Sequence, residues 1–158
     1  MEEQKKLYDT KDLKLMRSAE DALMKGTNRI EEIKKFARLA GIKKIGIAHC
    51  IGMKKEAELL KERLSDSFEV VTVDCRYAKV PASYMLDDET QKGSSCNPAG
   101  QADYLAQNKT ELNLVMGLCV GHDIIFNMKS KAPTSTLIVK DREHNHNPYR
   151  EFNKKSIE

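Results

Sequence analysis

Lys43-Lys44-Ile45-Gly46-Ile47-Ala48 is the stretch on which the fold turns. Upstream of it apolar residues recur at spacings of three and four, whereas here, after a basic start, they run without a break and include two isoleucines. A short continuous apolar run is expected of a strand buried on both faces, and therefore of a parallel sheet.

Working outward, Leu13, Met16, Ala19, Ala22 and Leu23 place a helix from Asp9 to near Lys25. Gly26-Thr27-Asn28 interrupts it. Asn28, with Glu31 three residues on, caps a second helix through Ile30, Ile33, Ala37 and Ala40, and Gly41 stops it. Downstream of the strand, Met53, Ala57, Leu60 and Leu64 form an amphipathic helix ending near Ser65-Asp66, and Phe68 to Val73 reads as a second strand. Tyr77 to Ser95 has no sustained period and is expected to be a long loop with room for a short helix, of a length more often functional than idle. Asn97-Pro98 opens a helix running to near Lys109. Leu112 to Leu118 reads as the third strand, Val120 to Lys129 as a helix, and Thr134 to Val139 as the fourth strand.

Strands alternating with helices predict an α/β fold. The expected form is a three-layer sandwich around a mainly parallel four-stranded sheet, Rossmann-like or flavodoxin-like, with strand order 2-1-3-4. One domain is expected over residues 1–158, with an N-terminal helical segment at 1–41, the sheet core at 42–142 and a polar tail at 143–158. In such sheets ligands bind beyond the carboxyl ends of the strands, where the strand order reverses.

Composition narrows the function classes. The 158 residues carry 27 Lys and Arg against 24 Asp and Glu, a net charge of +3, with 32% charged and 40% hydrophobic residues. A nearly balanced surface argues against a dedicated nucleic-acid binder, which concentrates basic residues on one face. The longest uncharged stretch, Leu112 to His122, spans 11 residues, well short of the roughly 20 that cross a bilayer. The start, MEEQKKLYDTKD, has no apolar core of a signal peptide. A cytoplasmic location is expected, with no nucleic acid or membrane partner, and with its four cysteines as reduced thiols.

Those thiols carry the functional reading. On the element order above, Cys50 follows the first strand, Cys75 the second, Cys119 closes the third, and Cys96 immediately precedes the Asn97-Pro98 helix start. All four map to one edge of the sheet. A lone cysteine is usually a small buried hydrophobe, but a chance scatter of four would not gather at the ligand-binding edge. Cys50, Cys96 and Cys119 also fall within a few residues of helix N-termini, where free N–H groups and the helix dipole favour a thiolate. The gaps between successive cysteines are 25, 21 and 23 residues with no C-x-x-C pair. That spacing fits neither a zinc finger nor a thioredoxin-type dithiol. One ligand per loop suits a site built on the scaffold, either an iron–sulfur cluster, of 4Fe-4S type for instance, or zinc. If only three cysteines held a cluster, the remaining iron would be open to a small-molecule substrate.

His122, three residues after Cys119, is the candidate for an additional metal ligand or a catalytic acid–base group. His49, Arg76, Asp123 and His146 are candidates to support the ligands from behind, with Arg76 able to hold an anion. Gly117 and Gly121 bracket Cys119 without forming a dinucleotide fingerprint.

Cys96-Asn97-Pro98-Ala99-Gly100-Gln101-Ala102, Gly117-Leu118-Cys119-Val120-Gly121-His122-Asp123, Val139-Lys140-Asp141-Arg142 and His146-Asn147-Pro148 together resemble the DUF1847 family of uncharacterised metal-binding proteins, over roughly Ile42 to Pro148. The resemblance implies a cysteine-bound metal, with Cys50, Cys75, Cys96, Cys119 and His122 as the characteristic positions. It also implies that the Lys140-Asp141-Arg142 and His146-Asn147-Pro148 segments close over the same edge. The chain lacks the cysteine-rich N-terminal segment of many members, so the four core cysteines carry the implied site. Asn145 stands where glycine is expected.

Three functions compete on these grounds. The first is a protein binding a metal ion or iron–sulfur cluster through Cys50, Cys75, Cys96 and Cys119, with redox or sulfur chemistry open to it. The second is a thiol-dependent enzyme using a low-pKa Cys119 or Cys96 with His122. The third is a binding module without chemistry. The sequence leaves open whether the protein is an enzyme, and the N-terminal helix offers a surface on which two copies could pair.

Overall fold

The computed structural model describes residues 2–153; residues 154–158 of the expected polar tail lie outside the described residues. The chain divides into two compact units, the first ending at Lys43 and the second beginning at Lys44.

The first unit holds α1 (Glu2–Lys5), α2 (Thr10–Ala22) and α3 (Arg29–Ala40). Asp9 and Asp12 exchange side-chain and backbone bonds in a capping box that starts α2, and the helix stops at Ala22, short of the expected Lys25. Asn28 Oδ1 accepts the N–H groups of Ile30 and Glu31 at 3.0 and 3.2 Å, so α3 begins where the sequence places it. Gly41, at φ 77°, ends it with the left-handed turn that glycine adopts without strain. α2 and α3 pack on each other.

The second unit is built on β1 (Lys44–His49), β2 (Glu69–Asp74), β3 (Leu112–Met116) and β4 (Thr134–Ile138). Every pairing is parallel and the order is β2-β1-β3-β4, as expected. The connections carry α4 (Lys54–Leu64), α5 (Ala82–Leu86), α6 (Pro98–Gln107) and α7 (His122–Lys129). Ala48, Val73 and Val115 share one face and pack with Ala102 and Leu105 of α6 and Phe126 of α7. Ile47, Thr72 and Leu114 stand level on the other face. α4 covers β1 and β2 with Ala57, Leu60 and Leu64 buried. The result is a Rossmann- or flavodoxin-like α/β sandwich. Among the described residues no helix is long and apolar enough to cross a membrane.

The loop expected after β2 carries the short helix it had room for, and one strand boundary changes. The aperiodic stretch after β2 is folded: it holds a 3-10 turn (Tyr77–Lys79), α5, and a single antiparallel bridge from Pro81 to Ser94. The third strand ends at Met116 and not at Leu118, because Gly117 turns the chain at φ 62° while its N–H donates to the Ile138 carbonyl at 2.7 Å. A Cβ there would collide with the Met53 sulfur, so a larger residue would have to displace Met53 as well as hold a left-handed backbone.

Candidate functional site

The carboxyl ends of the strands converge on one edge. Cys50 directly follows β1; its N–H donates to the Met116 carbonyl at 3.0 Å and its own carbonyl accepts from Met53 at 2.8 Å, opening the 3-10 turn Ile51–Met53. Cys75 follows β2 and is only 3% exposed. Cys96 precedes Asn97, whose side chain caps α6 by accepting the Gly100 N–H at 2.8 Å. Cys119 lies in the turn after β3, and its carbonyl accepts the N–H groups of His122 and Asp123 as α7 begins. All four are free thiols.

Cys75 is central. Its sulfur stands 3.7 Å from that of Cys96, accepts the Ile51 N–H at 3.3 Å, and meets the Cys50 thiol. Cys119 meets a different partner, the Arg142 guanidinium, with Nη2 3.2 Å from its sulfur. Among the described residues no three of the cysteine sulfurs lie within 4.8 Å of one another. The four are neighbours with one close pair, not a closed tetrahedron.

The thiols differ electrostatically. Burial pushes Cys75 up to about 12, with the Cys96 and Cys50 sulfurs adding to the rise and the Ile51 N–H opposing it. Partial burial acts the same way on Cys50, but the Gly52 N–H, the hydrogen bond and charge of Lys140, and the Cys75 thiol outweigh it, so Cys50 is held below its ordinary value. The native state thus keeps a proton on Cys75 that the unfolded chain releases near pH 9.0. Its contribution is fully present below that pH and is lost as pH rises toward about 12. In chelator-treated, reduced protein, the urea midpoint should therefore fall across this alkaline window more steeply than in Cys75→Ala. Parallel curves for the two proteins would contradict the assignment.

Lys140 and Arg142 come from a strap that leaves β4 and turns over the edge. Asp141 organises it: Oδ1 accepts the N–H groups of Glu143 and His144 at 3.0 and 2.9 Å, and its own N–H donates to His146 Nδ1 at 3.2 Å. Asn145 and His146 take φ of 52° and 66°, a left-handed pair that explains why asparagine serves where glycine is expected. His146 thus holds the turn that carries the two cations.

The other candidates are more dispersed. His49 is buried, with Nδ1 2.9 Å from the Cys50 carbonyl, and it lines a cavity of about 270 Å³ with Lys54, Glu58, Asp74 and Tyr77. Arg76 is exposed, and its backbone N–H donates to Asp74 Oδ1 at 2.7 Å. Asp123 Oδ1 accepts the N–H groups of Gly121 and Ile124 at the start of α7. His122 is half-buried as the first residue of that helix.

Sequence reasoning missed Gln101. It is fully buried on α6, and Nε2 donates to the carbonyls of His49 and Val73 at 3.2 and 3.0 Å, tying together the strand ends that carry Cys50 and Cys75. A polar residue on the apolar stripe formed with Pro98, Ala102 and Leu105 was the available signal. Also unforeseen is the cluster of Glu143, His144 and Glu151, whose ligand atoms lie within 4.8 Å of one another.

Comparison with known proteins identifies a family and no reaction. The family description "Protein of unknown function (DUF1847)" matches residues 1–137. The uncharacterised protein MJ0455 of Methanocaldococcus jannaschii is 48% identical over 122 residues, covering 75% of this chain and 63% of that protein. The chain thus spans somewhat less than two thirds of the length of this relative. No solved structure matches the chain. With 137 of its residues under the family description and nearly half of the aligned positions shared with MJ0455, the chain belongs to the DUF1847 family.

Proposed function

We propose that this chain binds a metal ion or iron–sulfur cluster at the carboxyl edge of its sheet, with Cys50, Cys75, Cys96 and Cys119 as ligands and His122 as a further ligand or acid–base group. The observation that carries the reading is the 3.7 Å contact between the Cys75 and Cys96 sulfurs. A tetrahedral thiolate site with metal–sulfur bonds of about 2.3 Å has edges of about 3.8 Å, so this pair already forms one such edge. Soft thiolates select zinc or iron–sulfur clusters over hard cations, and the wider spacing of the remaining sulfurs suits a cluster as well as an ion. Lys140 and Arg142 support the same reading, since they oppose the negative charge that several thiolates would bring together. A bound metal would supply Lewis-acid or electron-transfer chemistry at a place where α/β sheets accept small molecules.

Protein purified without air should carry zinc, or iron with acid-labile sulfide, near one site per chain. Reduced protein that contains neither, and that gains neither on anaerobic incubation with zinc or with iron and sulfide, would sink the proposal.

A second reading, a thiol-dependent enzyme, draws on the Arg142 guanidinium 3.2 Å from the Cys119 sulfur. It requires that iodoacetamide label Cys119 far faster than the other three cysteines.

A further inference from the structure

We propose that Cys75 and Cys96 form a reversible oxidation site, at which a small-molecule disulfide of the glutathione type converts the two thiols into an internal disulfide. The consequence for metal rests on the metal-binding reading above; the oxidation itself does not.

The argument begins with placement. The two sulfurs are 3.7 Å apart, too far for a bond of about 2.05 Å but close enough that side-chain rotation brings them together. Their backbones are already neighbours, because the Asn97 N–H donates to the Cys75 carbonyl at 2.7 Å. The intervening loop needs no refolding. The Ser95 N–H donates to the Val80 carbonyl and the Ala82 N–H to the Gly93 carbonyl, both at 2.9 Å, so the loop is already closed near its base. The other two cysteines have competing partners: the Cys50 sulfur is engaged by the Gly52 N–H and Lys140, and the Cys119 sulfur by Arg142.

Exposure sets the order of events. Cys75 is 3% exposed and Cys96 is half-buried, so the external disulfide is met at Cys96. Cys96 gives its proton to solvent, and its thiolate attacks one sulfur of the reagent. That sulfur–sulfur bond breaks and one small thiolate leaves, taking up a proton. Cys75 then attacks the Cys96 sulfur, its proton passing to the departing sulfur, so that the second small thiol is expelled. Two protein thiols are oxidised by two electrons, and one small disulfide is reduced to two thiols.

Oxidation withdraws two of the proposed ligands, so a bound zinc ion or cluster should be released as the link forms. The test uses the full chain, reduced and metal-free, incubated anaerobically with oxidised glutathione and then mapped by peptide mass spectrometry. Two of the four thiols should disappear into a Cys75–Cys96 crosslink that dithiothreitol reverses. The doubly substituted chain Cys50→Ser with Cys119→Ser should link as fully as the parent, and Cys96→Ser should not link at all. A Cys50–Cys75 crosslink, a stable glutathione adduct on Cys96, or four unreacted thiols would overturn the inference. Metal content is a separate readout: a chain that forms the link yet never holds metal upholds this inference and sinks the metal reading.

Discussion

Replacing Cys75 with serine is expected to remove bound metal from anaerobically prepared protein while leaving the fold intact. The substitution is nearly isosteric at a side chain that is 3% exposed, so little packing is lost. What changes is the donor. Cys75 stands between Cys50 and Cys96, and a hydroxyl there replaces the shared corner of the thiol group with a weak ligand for zinc or iron. Removing even supporting partners of a metal site typically lowers affinity about 10- to 100-fold, and a direct ligand should exceed the lower figure. The check is metal content per chain by elemental analysis, with circular dichroism confirming the fold. Arg142→Met serves as the comparison, since it removes charge and no ligand, and should retain more metal than Cys75→Ser. Undiminished metal in folded Cys75→Ser would remove Cys75 from the ligand set.

The second large effect concerns the floor beneath that edge. Phe126 is fully buried on α7 and belongs to the cluster formed by Ala48, Val73, Cys75, Ala102, Leu105, Val115 and Leu118. Phe126→Ala should cost about 3–5 kcal/mol, from lost transfer energy and from the cavity left in a core that collapses only partly. Against a total stability of about 5–15 kcal/mol, that is a large fraction. Urea denaturation should show a markedly lower midpoint with little change in slope. Because α7 starts three residues after Cys119, at His122, metal content should also fall in the fraction that remains folded. A midpoint within error of the parent would mean that α7 is not anchored through Phe126.

How much of this was legible in the chain depends on which force wrote each element. Lys44–His49 was readable because burial on both faces demands an unbroken apolar run. Asn28 and Gly41 were readable because helix ends have unpaired backbone groups that few residues satisfy. The end of β3 was not, since it depends on Gly117 fitting against Met53, a contact between residues far apart in sequence. The same distinction divides the site. The convergence of the cysteines on one edge follows from the parallel strands and the start of α6, so topology sufficed to find it. Their unequal environments do not follow, because Lys140 and Arg142 belong to a polar stretch without a period and acquire meaning only when the strap turns at Asp141 and His146. The spacing that set aside a dithiol was likewise a statement about sequence; in space, Cys75 and Cys96 are adjacent.

Gln101 gives the edge a property that loops alone would not. One amide spans the carbonyl of the last residue of β1 and that of the penultimate residue of β2. The separation of the chain segments leading to Cys50 and Cys75 is therefore set when the sheet forms, inside the protein and out of reach of solvent. Whatever occupies the edge meets a frame whose conformational entropy was already lost in folding, so less of its binding energy is spent on ordering the chain.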